Sequence, residues 1–186
     1  MDPALIRERF ARLHDPRGAD HAAEIGARAR SLGQVVVVIS ACLCGEPVRW
    51  DGEDRRSGSV LERAAGAQVL PLCPELLGGL GCPRPRVALG SPDGGAVLDG
   101  AAGARDEHDQ DATAALVRGA ARATELALLC GATRAILKQG SPSCGTRETH
   151  VLASEPTVGF SERVAGVGVA AAALRRAGLS LEDDGA

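Results

Sequence analysis

The chain has 186 residues, a formal charge of −3, 45% hydrophobic and 24% charged residues, the balance of one globular domain, which disfavours wholesale disorder, collagen-like repeats and coiled coil. No apolar run approaches the ~20 residues of a membrane helix, and the start MDPALIRERF has no signal-peptide core, so a cytoplasmic protein is expected. Two Phe, one Trp and no Tyr, with no basic stripe, disfavour a stable nucleic-acid partner and leave a small-molecule ligand.

Residues 1–33 read as an N-terminal helical extension. Asp2-Pro3 supplies a cap and an N1 proline before ALIRERFARLH, Asp15-Pro16-Arg17-Gly18 interrupts it, and Ala19 to Arg30 resumes helical spacing up to Gly33. Residues 34–186 read as one α/β domain. Gln34 to Ile39 is an unbroken β-branched run, the mark of a strand buried on both faces of a parallel sheet. It ends in a small-residue loop, Ser40-Ala41-Cys42-Leu43-Cys44-Gly45. Val60 to Ala65 predicts a short helix and Ala67 to Leu72 a second strand, which runs into Cys73-Pro74-Glu75.

Turn signals around Ala96-Val97-Leu98 suit a small β excursion. Asp109 to Leu129 has helical periodicity, with Ala114, Leu116, Val117, Ala121, Leu126 and Leu129 on the expected buried side and Gly131 as the C-cap. Ala132 to Leu137 predicts a third strand, ending in Lys138-Gln139-Gly140-Ser141-Pro142-Ser143-Cys144-Gly145. A helix is expected from Ser161-Glu162 through GVGVAAAALRRAG, and a last strand at Leu179-Ser180-Leu181. The alternation of strands and helices predicts a Rossmann-like, mostly parallel sheet, whose ligands sit at the carboxyl ends of the strands.

That rule organises the six cysteines. Reducing conditions favour metal binding or catalysis over disulfides, and Cys42, Cys73 and Cys144 each lie just beyond a predicted strand end. Three thiolates can hold a [4Fe–4S] cluster and leave the fourth iron open to substrate; a zinc ion with three thiolates and water competes on spacing alone. Ordinary burial is the bland alternative, since free Cys is a small hydrophobe. It is the preferred account of Cys130, which closes a helix among leucines. Cys44 and Cys82 lie near the proposed site with structural roles favoured, and no C-x-x-C spacing is present. A radical-SAM enzyme is disfavoured because the C-x-x-x-C-x-x-C run is missing.

Five segments in order, ISACLCGEPVRWDG, VLPLCPELLGGLGCPRP, AVLDG, ILKQGSPSCG and GVAAAALRRAGL, resemble the DUF523 family of thiouracil desulfidases over roughly Val35 to Leu181. The resemblance implies a cytoplasmic enzyme that binds a [4Fe–4S] cluster through three cysteines and removes sulfur, without net redox chemistry, from a thiobase such as 2-thiouracil. It transfers the ligand roles to Cys42, Cys73 and Cys144, with Cys82 as the substitute for Cys73. Glu75 and Ser141 become candidates for catalysis. Trp50 stands where the family usually has tyrosine, and Cys82 where a threonine is common.

Glu75, two residues from a proposed ligand, suits a general base activating water; its alternative is a capping glutamate. Ser141, or nearby Ser143, would hydrogen-bond the base or orient water, although serine is also a common turn residue. Lys138 is the only lysine in an arginine-biased chain and is a candidate for substrate binding, against the alternative of a snorkelling strand-end lysine. Arg49, Asp51 and Arg55 are candidates for substrate contact or for ordering the first loop. His108 and His150 read as surface residues. A non-catalytic cluster- or zinc-binding sensor is the competing function, weakened by the lack of a DNA-binding element. A homodimer stays open.

Overall fold

The β-branched run after Gly33 forms β1 (Val36–Ser40), buried along its whole length. In a computed structural model that describes residues 2–154 and 159–185, β1 is central to a four-stranded parallel sheet with β2 (Gln68–Leu72), β5 (Arg134–Leu137) and β8 (Ser180–Asp183), in the order β2-β1-β5-β8. Successive side chains of a strand point to opposite faces, and β1 divides accordingly. Val36 and Val38 join a core with Leu70, Leu72, Ala135 and Leu137, while Val37 and Ile39 join another with Val69 and Ile136. Burial of each of these Val, Leu and Ile side chains contributes about 1.5–3 kcal/mol.

Helices cover both faces. α1 (Pro3–Leu13) starts as expected, with Asp2 Oδ1 accepting the Ala4 N–H and Pro3 in the first turn. α2 (Gly18–Ser31) follows the Asp15-Pro16 break. Neither stands apart from the sheet: Leu13, Ala22, Ile25 and Ala29 share the first core, and Ile6 lies in the second. α7 (Thr113–Leu129) buries Leu116, Gly119, Ala120, Ala123, Leu126 and Ala127. Leu116 and Leu126 are thus correct, but Ala114, Ala121 and Leu129 are exposed and Val117 is half-buried, because close approach to neighbouring elements selects the Gly and Ala stripe. α8 (Val169–Arg176) completes that layer.

Beyond the parallel sheet lies a second, mixed one that the sequence reading did not anticipate: β3 (Val87–Leu89), β4 (Ala104–Asp106), β6 (Glu148–Leu152) and β7 (Ser161–Ala165), in the order β4-β3-β6-β7. Ser161 therefore opens a strand, and the expected helix begins only at Val169. The proposed β excursion at 96–98 is a helix, α6 (Gly94–Leu98), capped by Asp93 Oδ1 on the Gly95 N–H.

Three short elements complete the chain. α3 (Ala41–Cys44) is one helical turn where a loop was expected, stopped by Gly45 at φ 101, a conformation that glycine adopts without a Cβ penalty. α4 (Gly58–Arg63) and α5 (Pro74–Leu77) follow. From β1 the chain moves to β2 on one side and later returns to β5 on the other. The crevice at such a reversal is the general ligand position of parallel α/β sheets.

Candidate functional site

A cavity of about 420 Å³ opens at that reversal, in the size range of metabolite sites. Cys42, Cys73 and Cys144 all line it, delivered by α3 after β1, by the residue following β2, and by the loop following β5. None is in a disulfide, and all three are buried.

Each loop is held by its own backbone bonds. Cys42 O accepts from Gly45 N and Arg55 N, at 3.2 and 2.9 Å. Cys73 is the N-cap residue of α5, and its carbonyl accepts from Leu77 N. The third loop closes on the Ser141 hydroxyl oxygen, which accepts from Ser143 N at 3.1 Å and Cys144 N at 3.0 Å. It docks on the start of α8 so tightly that a Cβ at Gly168 would lie 2.5 Å from the Ser143 carbonyl carbon.

Burial pushes the Cys42 thiol up to about 11 and the Cys73 thiol up to about 12, and raises that of Cys144 still more. The thiols also sense one another, since Cys42 and Cys73 each oppose ionisation of Cys144. Against this, Lys138 and Arg49 favour the Cys42 thiolate, Arg84 that of Cys73, and the Ser40 hydroxyl that of Cys144. Thiols are soft donors whose protons a metal could displace, and the nearby cations would offset the negative charge so formed. Among the described residues, no three His, Cys, Asp or Glu side chains converge closely enough to grip a single metal ion.

The profile of the 2-thiouracil desulfurase family matches residues 37–184. The chain belongs to the 2-thiouracil desulfurase family. The uncharacterized protein YbbK of Bacillus subtilis (strain 168) is 32% identical over 144 residues, 77% of this chain and 91% of that protein. A solved structure described as the [4Fe-4S]-dependent thiouracil desulfidase TudS (DUF523Vcz) is 34% identical, spans 81% of this chain and 91% of its own, and superposes with a TM-score of 0.66.

Around the three thiols, this desulfurase-family chain gathers some of the expected residues and not others. Glu75, Ser141, Lys138, Arg49, Arg55 and Trp50 line the cavity. Ser143 does not; it is 1% exposed, with its carbonyl accepting from Ala171 N. Asp51 also lies outside the lining and instead clamps Arg49 with both carboxylate oxygens, at 2.8 and 3.1 Å. That pairing holds its carboxyl down at about 2. Cys82 is exposed, outside the lining, with its thiol against the Pro47 and Arg49 carbonyls. Cys44 and Cys130 are buried in the two cores.

Several lining residues escaped the sequence reading. Arg84 pairs with Glu75, its Nε 2.7 Å from Oε2, and also donates to the Val48 and Gly81 carbonyls. Arg86, Arg163 and His150 also line the cavity, so His150 is not simply a surface residue. Its Nδ1 lies 3.2 Å from the Ser161 hydroxyl, and burial together with Arg163 and Arg86 lowers its pKa. Lys138 is held by Asp184 at 2.8 Å and by the Gln139 carbonyl. The arginines were hidden by the arginine bias of the whole chain; the only available signal was that Arg84 and Arg86 are the two arginines of the CPRPR segment.

Proposed function

We propose that this chain is a cytoplasmic, [4Fe–4S]-dependent desulfidase that hydrolyses a thiolated nucleobase such as 2-thiouracil to uracil and hydrosulfide. The observation that carries the reading is the meeting of Cys42, Cys73 and Cys144, from three separate strand ends, in one cavity. Three thiolates delivered from separate strand ends suit a cluster, in which each takes its own iron. No helix among the described residues is long and apolar enough to cross a membrane.

When bound, the cluster supplies a Lewis-acidic iron with an open position suited to a thione sulfur. The chain's own residues do the rest. Glu75 accepts a proton from the attacking water; Arg84 donates to Oε2 and so holds the carboxylate in place at the cavity wall. The water oxygen replaces sulfur at carbon and the sulfur leaves as hydrosulfide, so no electrons are exchanged. Lys138, tethered by Asp184, and Arg49, tethered by Asp51, present fixed cations to the developing negative charge. Ser141 acts through the loop: by accepting the Cys144 N–H it sets that ligand's direction. Trp50 offers a flat apolar wall for a planar base.

Anaerobic reconstitution tests the reading. Wild-type protein should bind about four irons per chain with matching sulfide and release hydrosulfide and uracil from 2-thiouracil, and Cys42→Ser should lose both. Stoichiometric zinc without sulfide, or a full cluster that releases no sulfide from any thiolated base, overturns it.

A further inference from the structure

α1 and α2 precede the residues that match the family, yet α1 reaches the site. His14, the C-cap residue of α1, lies with Nε2 3.1 Å from the backbone nitrogen of Cys73 and Nδ1 2.8 Å from the Phe10 carbonyl oxygen. A carbonyl can only accept, so Nδ1 carries the proton, and the Nε2 lone pair is left to accept the Cys73 N–H. Cys73 has need of such an acceptor. β2 pairs with β1 only as far as Leu72, so the Cys73 amide is the first beyond the ladder, in a buried residue where an unpaired N–H is costly.

The same helix grips β2 earlier along the strand. Arg9 donates to the Val69 carbonyl at 3.0 Å and to the Gln68 side chain. Phe10 lies against the His14 ring, centroids 4.0 Å apart, and packs on the core that contains Cys42 and Cys73. Helix and strand are thus registered by side chains at successive heights, the last of them at the thiol-bearing residue.

We infer that His14 is a positioning residue for Cys73: by accepting its amide N–H it fixes the backbone that aims the thiol, and so makes the N-terminal helix pair part of the ligand site in this chain. The effect on a cluster rests on the function proposed above; the hydrogen bond does not.

Two variants separate acceptor from packing. His14→Phe keeps the ring stack and removes both nitrogens, whereas His14→Gln restores an acceptor near the Nε2 position. In cluster-free protein, hydrogen exchange over residues 70–77 should quicken at the Cys73 amide by about tenfold in His14→Phe and stay near wild type in His14→Gln. In reconstituted protein, chelator-driven loss of the iron–sulfur absorbance should be about tenfold faster in His14→Phe and within about twofold of wild type in His14→Gln. Unchanged exchange in His14→Phe overturns the hydrogen bond. Equal cluster lifetimes in all three proteins, or equal losses in Phe and Gln, overturn the positioning role. If wild-type protein assembles no cluster, the proposed function falls, and the exchange experiment still decides whether His14 holds Cys73.

Discussion

The Arg84 guanidinium and the Glu75 carboxylate meet at 2.7 Å with side chains only 6% and 12% exposed; Glu75 is two residues from Cys73, and all three line the same cavity. A pair this buried is strongly coupled to its surroundings: removing one partner strands the other's charge, whereas removing both does not. Arg84→Met should therefore lower stability by about 3 kcal/mol, and Arg84→Met with Glu75→Gln should recover most of it, read by urea denaturation of the cluster-free protein. Additive losses would mean that the two groups act independently.

For turnover, the carboxylate itself matters. Glu75→Gln keeps the shape and an acceptor oxygen for Arg84 but cannot take a proton. Iron content should match wild type while kcat falls at least about 100-fold, the usual weight of a general base. Full activity in a cluster-loaded Glu75→Gln protein would remove Glu75 from the chemistry.

Gly119 bears on the same loop from behind. A Cβ there would lie 1.9 Å from the Pro74 carbonyl oxygen, so Gly119→Ala must push α7 away from the turn that carries Cys73 and Glu75. A loss of about 2 kcal/mol is expected from such overpacking, together with reduced iron uptake. Gly58→Ala, where nothing lies within 4 Å, is the matched control and should cost nothing in either assay.

Trp50 is 44% exposed at the cavity wall, with the Arg86 guanidinium 5.7 Å from its ring centroid. A wall that touches substrate equally in ground and transition states affects binding alone. Trp50→Ala should raise KM for 2-thiouracil about tenfold, the worth of one aromatic stacking contact, with kcat nearly unchanged. A fall in kcat at constant KM would assign the ring a different role.

Away from the site, Cys130 provides a test of pH linkage. Burial raises its thiol from the usual 9.0 to about 11, so the folded state holds the proton more tightly than the unfolded chain does. Its contribution is complete below pH 9 and is lost as pH rises from 9 through about 11, amounting to at most about 3 kcal/mol. Urea denaturation of cluster-free protein between pH 8 and 10.5 should show a steeper loss in wild type than in Cys130→Ala; parallel curves would show that this thiol does not drive the change.

The parallel strands and the three thiols at their ends are written locally. Val36 to Ile39 has no polar face to show to water, so it must be covered on both sides, and chain direction alone then puts Cys42, Cys73 and Cys144 at one edge. The Asp2-Pro3 start of α1 and the Gly131 stop of α7 are equally local, since capping depends on one or two residues. The second sheet is not. Its strands are short and mixed in polarity, and Ser161–Ala165 becomes a strand only by pairing with Glu148–Leu152. The same holds for the cavity's polar wall. Among so many arginines, Arg84 of the CPRPR segment is singled out by the partner that folding brings to it, Glu75. Ser143 and Asp51, close to the motifs in sequence, turn away from the cavity because the backbone of each loop sets which side chain faces inward. His14 lies 59 positions from Cys73, and its role arises only because an amide beyond the end of a strand must find an acceptor across the fold.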